Sequence, residues 1–323
     1  MAEPSSSTRV RLAEPDDVAT IFQLIKHLAD YEKLAHEVVG YESLLQEHLF
    51  GDRPYIESFI VESGGTPAGF ALFFQNYSIS VGTPGYYLED LFVLPTYRGQ
   101  GLGKALLSAL AQRAVDQQYH HLQWSVLDWN APAIAFYQKI GADISETERI
   151  ARLTGDALTG DALTNGKRQF EPTSHSFAIE QLTGDRLSDL APLLEHLSDP
   201  QQSVVRTAIA THPPSVEAIA VYDNEHPIGL ATFTHSYSTF LTRPGIVVES
   251  MITSPGTNPL EMRSVLLDAL AQMARDRQCG RLEWLVDRED DGAIAQCESL
   301  GGTVKPDWRI CRMEVEAIHA LSW

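Results

Sequence analysis

Tyr86-Tyr87-Leu88-Glu89-Asp90-Leu91-Phe92-Val93, followed across Leu94-Pro95-Thr96-Tyr97 by Arg98-Gly99-Gln100-Gly101-Leu102-Gly103-Lys104, decides how this chain folds. The first eight residues are an apolar, aromatic and β-branched run bounded by Pro84-Gly85 and Pro95, which reads as a strand. The glycine-rich turn then opens into Ala105-Leu106-Leu107-Ser108-Ala109-Leu110-Ala111, a strong helix-forming sequence. Strand, glycine turn and helix start together expose backbone N–H groups at the positive end of a helix dipole, an arrangement suited to a phosphate or pyrophosphate. The glycine spacing is not that of a dinucleotide fingerprint, and no Gly-Lys-Ser/Thr ending marks a nucleotide-triphosphate loop.

Working outward, Val10-Arg11-Leu12 is a short strand, and Glu14-Pro15-Asp16-Asp17 opens a helix with acids in its first turn. Val18, Ile21, Phe22, Leu24, Ile25 and Leu28 supply its buried stripe. A loop from Tyr31 to Glu37 and a second helix from Tyr41 to Phe50 follow. Ser58 to Glu62 and Ala68 to Phe74 read as strands joined at Gly64-Gly65-Thr66-Pro67. Beyond the central stretch come a strand at Leu122 to Val126 and a helix from Ala131 to Ile140, stopped by Gly141. The order β–α–α–β–β–β–α–β–α–β is a mixed α/β layer. A duplicated Thr-Gly-Asp-Ala-Leu unit (154–158, then 159–163) and the polar run Asn165 to Gln169 read as a strand end and then a linker.

The second half repeats the first at a constant offset of about 160 residues. Pro67 recurs as Pro227, Gly69 as Gly229, Tyr77 as Tyr237, Glu89 as Glu249, Leu106-Leu107 as Leu266-Leu267, Trp124 as Trp284, Gly141 as Gly301 and Arg152 as Arg312. Two copies of one fold are expected: 1–164, a linker over 165–176, and 177–323. The anion loop is not copied. Arg98 to Gly103 becomes Asn258-Pro259-Leu260-Glu261-Met262-Arg263, where Pro259 removes a donor and Glu261 places an anion at the phosphate position. Tyr137 becomes Cys297 and Asn130 becomes Asp290.

At 323 residues the chain can hold two cores, and 44% hydrophobic with 21% charged residues is the composition of a soluble globular protein. A net charge of −19 argues against nucleic acid and anionic membranes as partners. It suits a cationic substrate such as an amine, and equally a surface charged only for solubility. No stretch approaches the length of a membrane span, and Met1 to Ser7 has no signal-peptide character. Cys279, Cys297 and Cys311 fit no zinc pattern, so no metal is expected. Their odd number argues against a disulfide framework, and a reducing cytoplasm is the expected compartment.

The Arg-Gly-x-Gly-x-Gly turn resembles the coenzyme A pyrophosphate loop of the GNAT N-acetyltransferases. Tyr87 to Val93, Tyr97 to Gly103, Leu127-Asp128-Trp129-Asn130 and Phe136-Tyr137, in that order, resemble the diamine (spermidine/spermine) acetyltransferase branch. The resemblance implies an acetyl-coenzyme A dependent N-acetyltransferase of small amines in the first copy and a degenerate second copy without coenzyme A binding. It makes Glu89 the candidate base, also readable as a plain strand carboxylate because Glu249 is retained in the copy without the loop. Tyr137 is the candidate acid for the departing thiolate. Leu91, Phe92 and Val93 would hold the pantetheine arm and polarise the carbonyl. Arg98, Gly99, Gln100, Gly101, Leu102, Gly103 and Lys104 would hold the pyrophosphate. Asn130 would contact the coenzyme or cap a helix. Glu32, Glu37 and Asp90 would hold the far amine of the acceptor, or serve as surface acids.

Two departures from that branch bear on the acceptor. Tyr77-Ser78-Ile79-Ser80 stands where the polyamine enzymes have an aspartate and a tryptophan. A tryptophan expected near Glu148 occurs instead at Trp308 of the second copy. Short diamines and lysine-like or thialysine-like amino acids therefore compete with long polyamines. An acetyl-coenzyme A sensor and a protein-amine acetyltransferase are the other readings. The branch consists of homodimers that build each other's acceptor sites, so the two copies are expected to pair within one chain, possibly as a monomer.

Overall fold

The computed structural model of the protein describes residues 8–79, 82–159, 177–182, 184–195, 197–210 and 216–322. The expected linker at 165–176, the tail Met1 to Ser7 and Ser80 lie outside these residues. In the first copy the strands are β1 (Thr8–Leu12), β2 (Glu57–Ser63), β3 (Thr66–Ser78), β4 (Thr83–Val93), β5 (His121–Leu127), β6 (Asp143–Ile144) and β7 (Glu148–Thr154). In the second they are β8 (Ala178–Gln181), β9 (Glu217–Asp223), β10 (His226–Ser238), β11 (Arg243–Thr253), β12 (Arg281–Asp287), β13 (Thr303–Lys305) and β14 (Trp308–Glu314).

Helices α1 (Val18–Glu32), α2 (Glu42–Phe50), α3 (Leu102–Asp116) and α4 (Ala131–Lys139) cover the first sheet. The run Phe70 to Phe74 in β3 is buried throughout because a layer of helices lies on each face. Leu102, Leu106, Leu107, Leu110, Ala111 and Ala114 of α3 pack on one face with Phe73, Leu88 and Trp124. Val18, Ile21, Phe22, Ile25 and Leu28 of α1 pack on the other with Ile60, Phe70 and Phe92. The unit repeated at 154–158 ends β7 at Thr154, and Asp156–Thr159 is a helical turn rather than more strand.

The copies are interlocked. One sheet runs β1-β2-β3-β4-β5-β14-β6 and the other β13-β7-β12-β11-β10-β9-β8. Each sheet thus takes its sixth strand from the other copy. β14 pairs antiparallel with β5 from Trp308 opposite Leu127 to Glu314 opposite His121. β7 pairs antiparallel with β12 from Glu148 opposite Asp287 to Thr154 opposite Arg281. The turn between β10 and β11 completes the union: Val39 and Gly40 N–H groups both donate to the Phe240 carbonyl, at 3.0 and 2.9 Å. A Cβ on Gly40 would lie 2.5 to 2.8 Å from Thr242 and Leu241, so only glycine permits this approach. Two seven-stranded mixed sheets in one chain are the α/β architecture that the repeat implies.

Candidate active site

Glu89 sits at a β-bulge. Phe73 faces Leu88 and Leu72 faces Asp90, so Glu89 is the extra residue on β4. β4 and β5 run parallel only from Gly85 opposite His121 to Leu88 opposite Trp124. Beyond the bulge β4 continues with β3 alone and its other edge is open. The Leu94 N–H donates 2.9 Å to the Ala68 carbonyl on the β3 side. By alternation, the Leu91 and Val93 N–H groups point into the opening. The Val93 carbonyl on that edge accepts from Arg98 Nε at 2.9 Å.

The glycine turn closes one end of the opening. Gly99 and Gly101 have φ of 76° and 85°, the left-handed region that favours glycine, with nothing within 4 Å of an added Cβ. The Ala105 N–H donates to the Gly101 carbonyl at 2.9 Å, the first such bond of α3. The Gln100 to Lys104 amides before it stand at the positive helix end. Leu102 and Phe92 are core side chains; a ligand could meet only their backbone. The exposed Arg98 guanidinium stacks on Tyr31 at 4.6 Å. Asn130 caps α4: its Oδ1 accepts from the Ala133 N–H at 3.4 Å and from the Tyr31 hydroxyl at 3.1 Å.

The opening leads into a cavity of about 1480 Å³ lined by both copies. Tyr137 lines it, edge-on to Trp124 at 5.0 Å, and burial pushes its phenol above the usual range. Glu32, Glu37, Glu89 and Asp90 line it as well. Burial, then Glu89 and Glu37, pushes the Glu32 carboxyl up to about 7. Burial, then Glu89 and Glu32, pushes Asp90 well above the usual range. Thr239 donates to Asp90, whose Oδ2 is buried and accepts no hydrogen bond. The acids expected to face an acceptor are therefore together.

The second copy contributes lining residues that the sequence did not point to. Thr239 and Phe240 arrive on the β10–β11 turn, and Lys305 and Trp308 on the segment entering β14. Trp308, which the sequence places in the second copy, is carried into the first copy's cavity by strand exchange. Arg281, at the start of β12, grips both oxygens of Glu89 at 3.0 and 2.9 Å. It also pairs with Glu283 at 2.9 Å, and Glu283 pairs with Arg152 at 2.6 Å. The four alternate in sign. Burial pushes Glu89 up, with Arg281 the chief counterweight. Burial also pushes Glu283 up, but Arg152 and Arg281 outweigh it and hold that carboxyl below the usual range. The constant offset that located Trp308 opposite Glu148 was the signal available for the tryptophan; Arg281 had none.

Side chains occupy the corresponding helix start of the second copy. Asn258 Oδ1 accepts from the Leu260 and Glu261 N–H groups at 3.1 and 3.5 Å. Met262 sits on Gly229, its Sδ 2.6 Å from an added Cβ. Gln296, at the position of Phe136, donates to Ser264 Oγ at 2.7 Å. Among the described residues no cluster of three or more His, Cys, Asp or Glu could hold a metal, and no helix is long and apolar enough to cross a membrane.

A splayed parallel strand pair, a bulge and a glycine turn at a helix start frame the site. The acetyltransferase (GNAT) family model matches residues 21–142. An L-ornithine N5-acetyltransferase of Arabidopsis thaliana is 35% identical, over 47% of this chain and 86% of its own length. A thialysine N-epsilon-acetyltransferase of Mus musculus is 35% identical, over 44% of this chain and 89% of its own. The chain belongs to the GNAT family and is an N-acetyltransferase. In fold it is similar across its length to a tandem GNAT protein of the clavulanic acid biosynthesis pathway, with a TM-score of 0.54 at 15% identity, covering 96% of this chain and 99% of that one.

Proposed function

We propose that the first copy transfers acetyl from acetyl-coenzyme A to a primary amine of a small cationic molecule, a short diamine or a diamino acid such as ornithine or thialysine. The observation that carries this reading is one cavity with an anion cradle at the glycine turn and the carboxyl groups of Glu32, Glu37, Glu89 and Asp90 among its lining. The amides of Gln100, Gly101, Gly103 and Lys104, with Arg98, hold the pyrophosphate. The Leu91 and Val93 N–H groups bind the pantetheine arm and polarise the thioester carbonyl. Glu89 receives the proton of the acceptor ammonium through a bridging water, since both its oxygens already accept from Arg281. The nitrogen–carbon bond forms and the carbon–sulfur bond breaks; Tyr137 gives its proton to the thiolate and regains one from the second proton that the nitrogen sheds as it becomes an amide. Glu32, Glu37 and Asp90 hold the far ammonium.

A small acceptor is favoured over a protein amine because the second copy's Thr239 reaches Asp90 and Trp308 lines the same cavity. Thiol release in the presence of L-ornithine, L-lysine, thialysine, spermidine and a lysine-bearing peptide tests the reading. Release with the small amines and not the peptide is expected. Acetyl-coenzyme A binding without thiol release from any of them would make the protein a sensor instead.

A further inference from the structure

The second copy has lost the anion loop, yet it delivers a buried cation to the first copy's site. Arg281 is 7% exposed and Glu89 13%, and the bidentate contact between them joins β12 of one copy to β4 of the other. Every donor edge of Arg281 is used: Nη1 and Nη2 on Glu89, Nη2 also on the Tyr237 carbonyl, and Nε on Glu283 and Ser236. Its surroundings fix it in one place. In the related position of the first copy stands His121, whose Nε2 meets Asn76 Oδ1 at 3.0 Å. Burial pushes that imidazole down to about 4, so it is neutral at ordinary pH. Glu249, the counterpart of Glu89, has no arginine hydrogen-bonded to it, and Arg312 acts on it only at longer range. Glu249 accepts a hydrogen bond from the Thr234 hydroxyl at 3.0 Å, and burial pushes it up to about 8. The same bulge carboxyl is thus held in two electrical settings, and the one beside the open cavity is gripped directly by a guanidinium.

We propose that Arg281 is a positioning residue of the acetyl-transfer site, supplied by the second copy, which keeps Glu89 ionised and aimed into the acceptor cavity. The proposal rests on the acetyltransferase reading above. An arginine is suited to this task because its planar fork matches a carboxylate and stays charged when buried. The groups facing Glu89 make the cation necessary. Asp90 and Tyr87 flank it on β4, Glu32 approaches from α1, Tyr237 from β10 and Glu283 from β12, with Arg152 of β7 behind Glu283. Without Arg281 the one cation left acting on Glu89 among these groups would be Arg152, which makes no hydrogen bond to it and is already paired with Glu283. Loss of the cation would push the carboxyl further up toward its neutral form, weakening both the fixed charge and the proton acceptor that an ammonium meets there.

The test compares the full chain with Arg281→Gln, Arg281→Lys and the double variant Arg281→Gln/Glu89→Gln. With thialysine as acceptor, the acid limb of kcat/KM should move up by about one to three pH units in Arg281→Gln, the shift expected when an opposite charge a few ångströms away is removed. Arg281→Lys should recover part of it. Thermal unfolding gives a readout independent of turnover. A carboxyl whose folded pKa is raised costs stability above the unfolded value, so the loss of Tm in Arg281→Gln should grow with pH and shrink toward pH 5. The double variant, which has no carboxyl to ionise there, should lose the pH dependence of that gap while remaining slow. An unmoved acid limb together with a Tm gap constant in pH would overturn the proposal and reduce Arg281 to a brace between the copies. Failure of the wild-type chain to release thiol with any amine would overturn the acetyltransferase reading instead, and the Tm series would still decide whether Arg281 governs Glu89.

Discussion

Two copies of one sequence pattern have diverged at the same three places: the helix start, the bulge and the residue facing the opening. At the helix start the first copy has Gly99 and Gly101 with open space above them, and the second has the Asn258 side chain on its own helix amides. At the bulge Glu89 meets Arg281, while Glu249 meets a threonine hydroxyl. Facing the opening, Tyr137 is matched by the fully buried Cys297. Core positions have stayed interchangeable. A fold tolerates loss of its ligand groups when their replacements satisfy the same backbone donors, since a buried unpaired N–H costs more than an absent ligand.

The largest effect should come from separating the copies. A fragment of residues 1–164 lacks β14, so β5 and β6 lose their shared partner. It also leaves the edge of β5 bare and β7 without its sheet. It should be inactive, or pair with a second fragment by exchanging β7, which size-exclusion chromatography with light scattering would read. A monomeric, stable and active fragment would break the comparison by showing that the second copy is dispensable.

Next in size is the loss of the cradle. Gly101→Val forces a β-branched residue to φ 85°, a strain of about 1–3 kcal/mol, and crowds the pyrophosphate position. Acetyl-coenzyme A affinity measured by calorimetry should fall by more than about tenfold. Pro259→Ala, at the matching turn of the second copy, should leave both affinity and a stoichiometry of one per chain unchanged. Two equivalent sites would show that the second cleft is open after all.

Tyr137→Phe should reduce kcat by about 100-fold or more with coenzyme affinity nearly unchanged, because the hydroxyl is needed only as the thiolate leaves. Cys297→Ala should leave kcat alone. Equal turnover by wild type and Tyr137→Phe would assign the proton to solvent.

The smallest effects are electrostatic. The Glu32 carboxyl, held up near 7, gains its charge as pH rises through that value. Affinity for a diamine should therefore improve from pH 6 to 8, and Glu32→Gln should flatten the trend. In the second copy Glu249 is held near 8 and keeps a proton that the unfolded chain releases near 4.5. It therefore lowers stability as pH rises between those values. Glu249→Gln should raise Tm at pH 8 relative to wild type, with a smaller difference at pH 5. Identical Tm profiles would show that the buried carboxyl is compensated elsewhere.

Much of this was legible in the amino-acid sequence because it is local. The glycines of the turn, the strong helix after it, the strand Tyr86 to Val93 and the apolar stripe of α1 each follow from backbone sterics and periodicity. The constant offset revealed both the duplication and the decay of the second loop. The bulge at Glu89 was not legible, since an extra residue in a ladder shows only once its partner strand is in register. Asn130 could be read as a coenzyme contact or a cap, and the structure shows it capping α4.

The sequence by itself determined that there are two related units and that one of them carries the glycine-rich turn. Which sheet each last strand joins was decided only by the tertiary structure. β7 and β14 have the same alternation of buried and exposed positions, and either would satisfy either sheet. Side-chain pattern fixes the face of a strand and not the identity of its neighbour. The exchanged pairing is continued in the flanking segments, where the Ser145 N–H donates to the Ile310 carbonyl and the Asp128 N–H to the Asp307 carbonyl. From that exchange follow the delivery of Trp308 to the first copy's cavity and the seating of Arg152 beside Glu283. Docking of the β10–β11 turn and β12 against the first sheet brings Arg281 to Glu89. These contacts join residues more than 130 positions apart, and no local rule of sequence contains them.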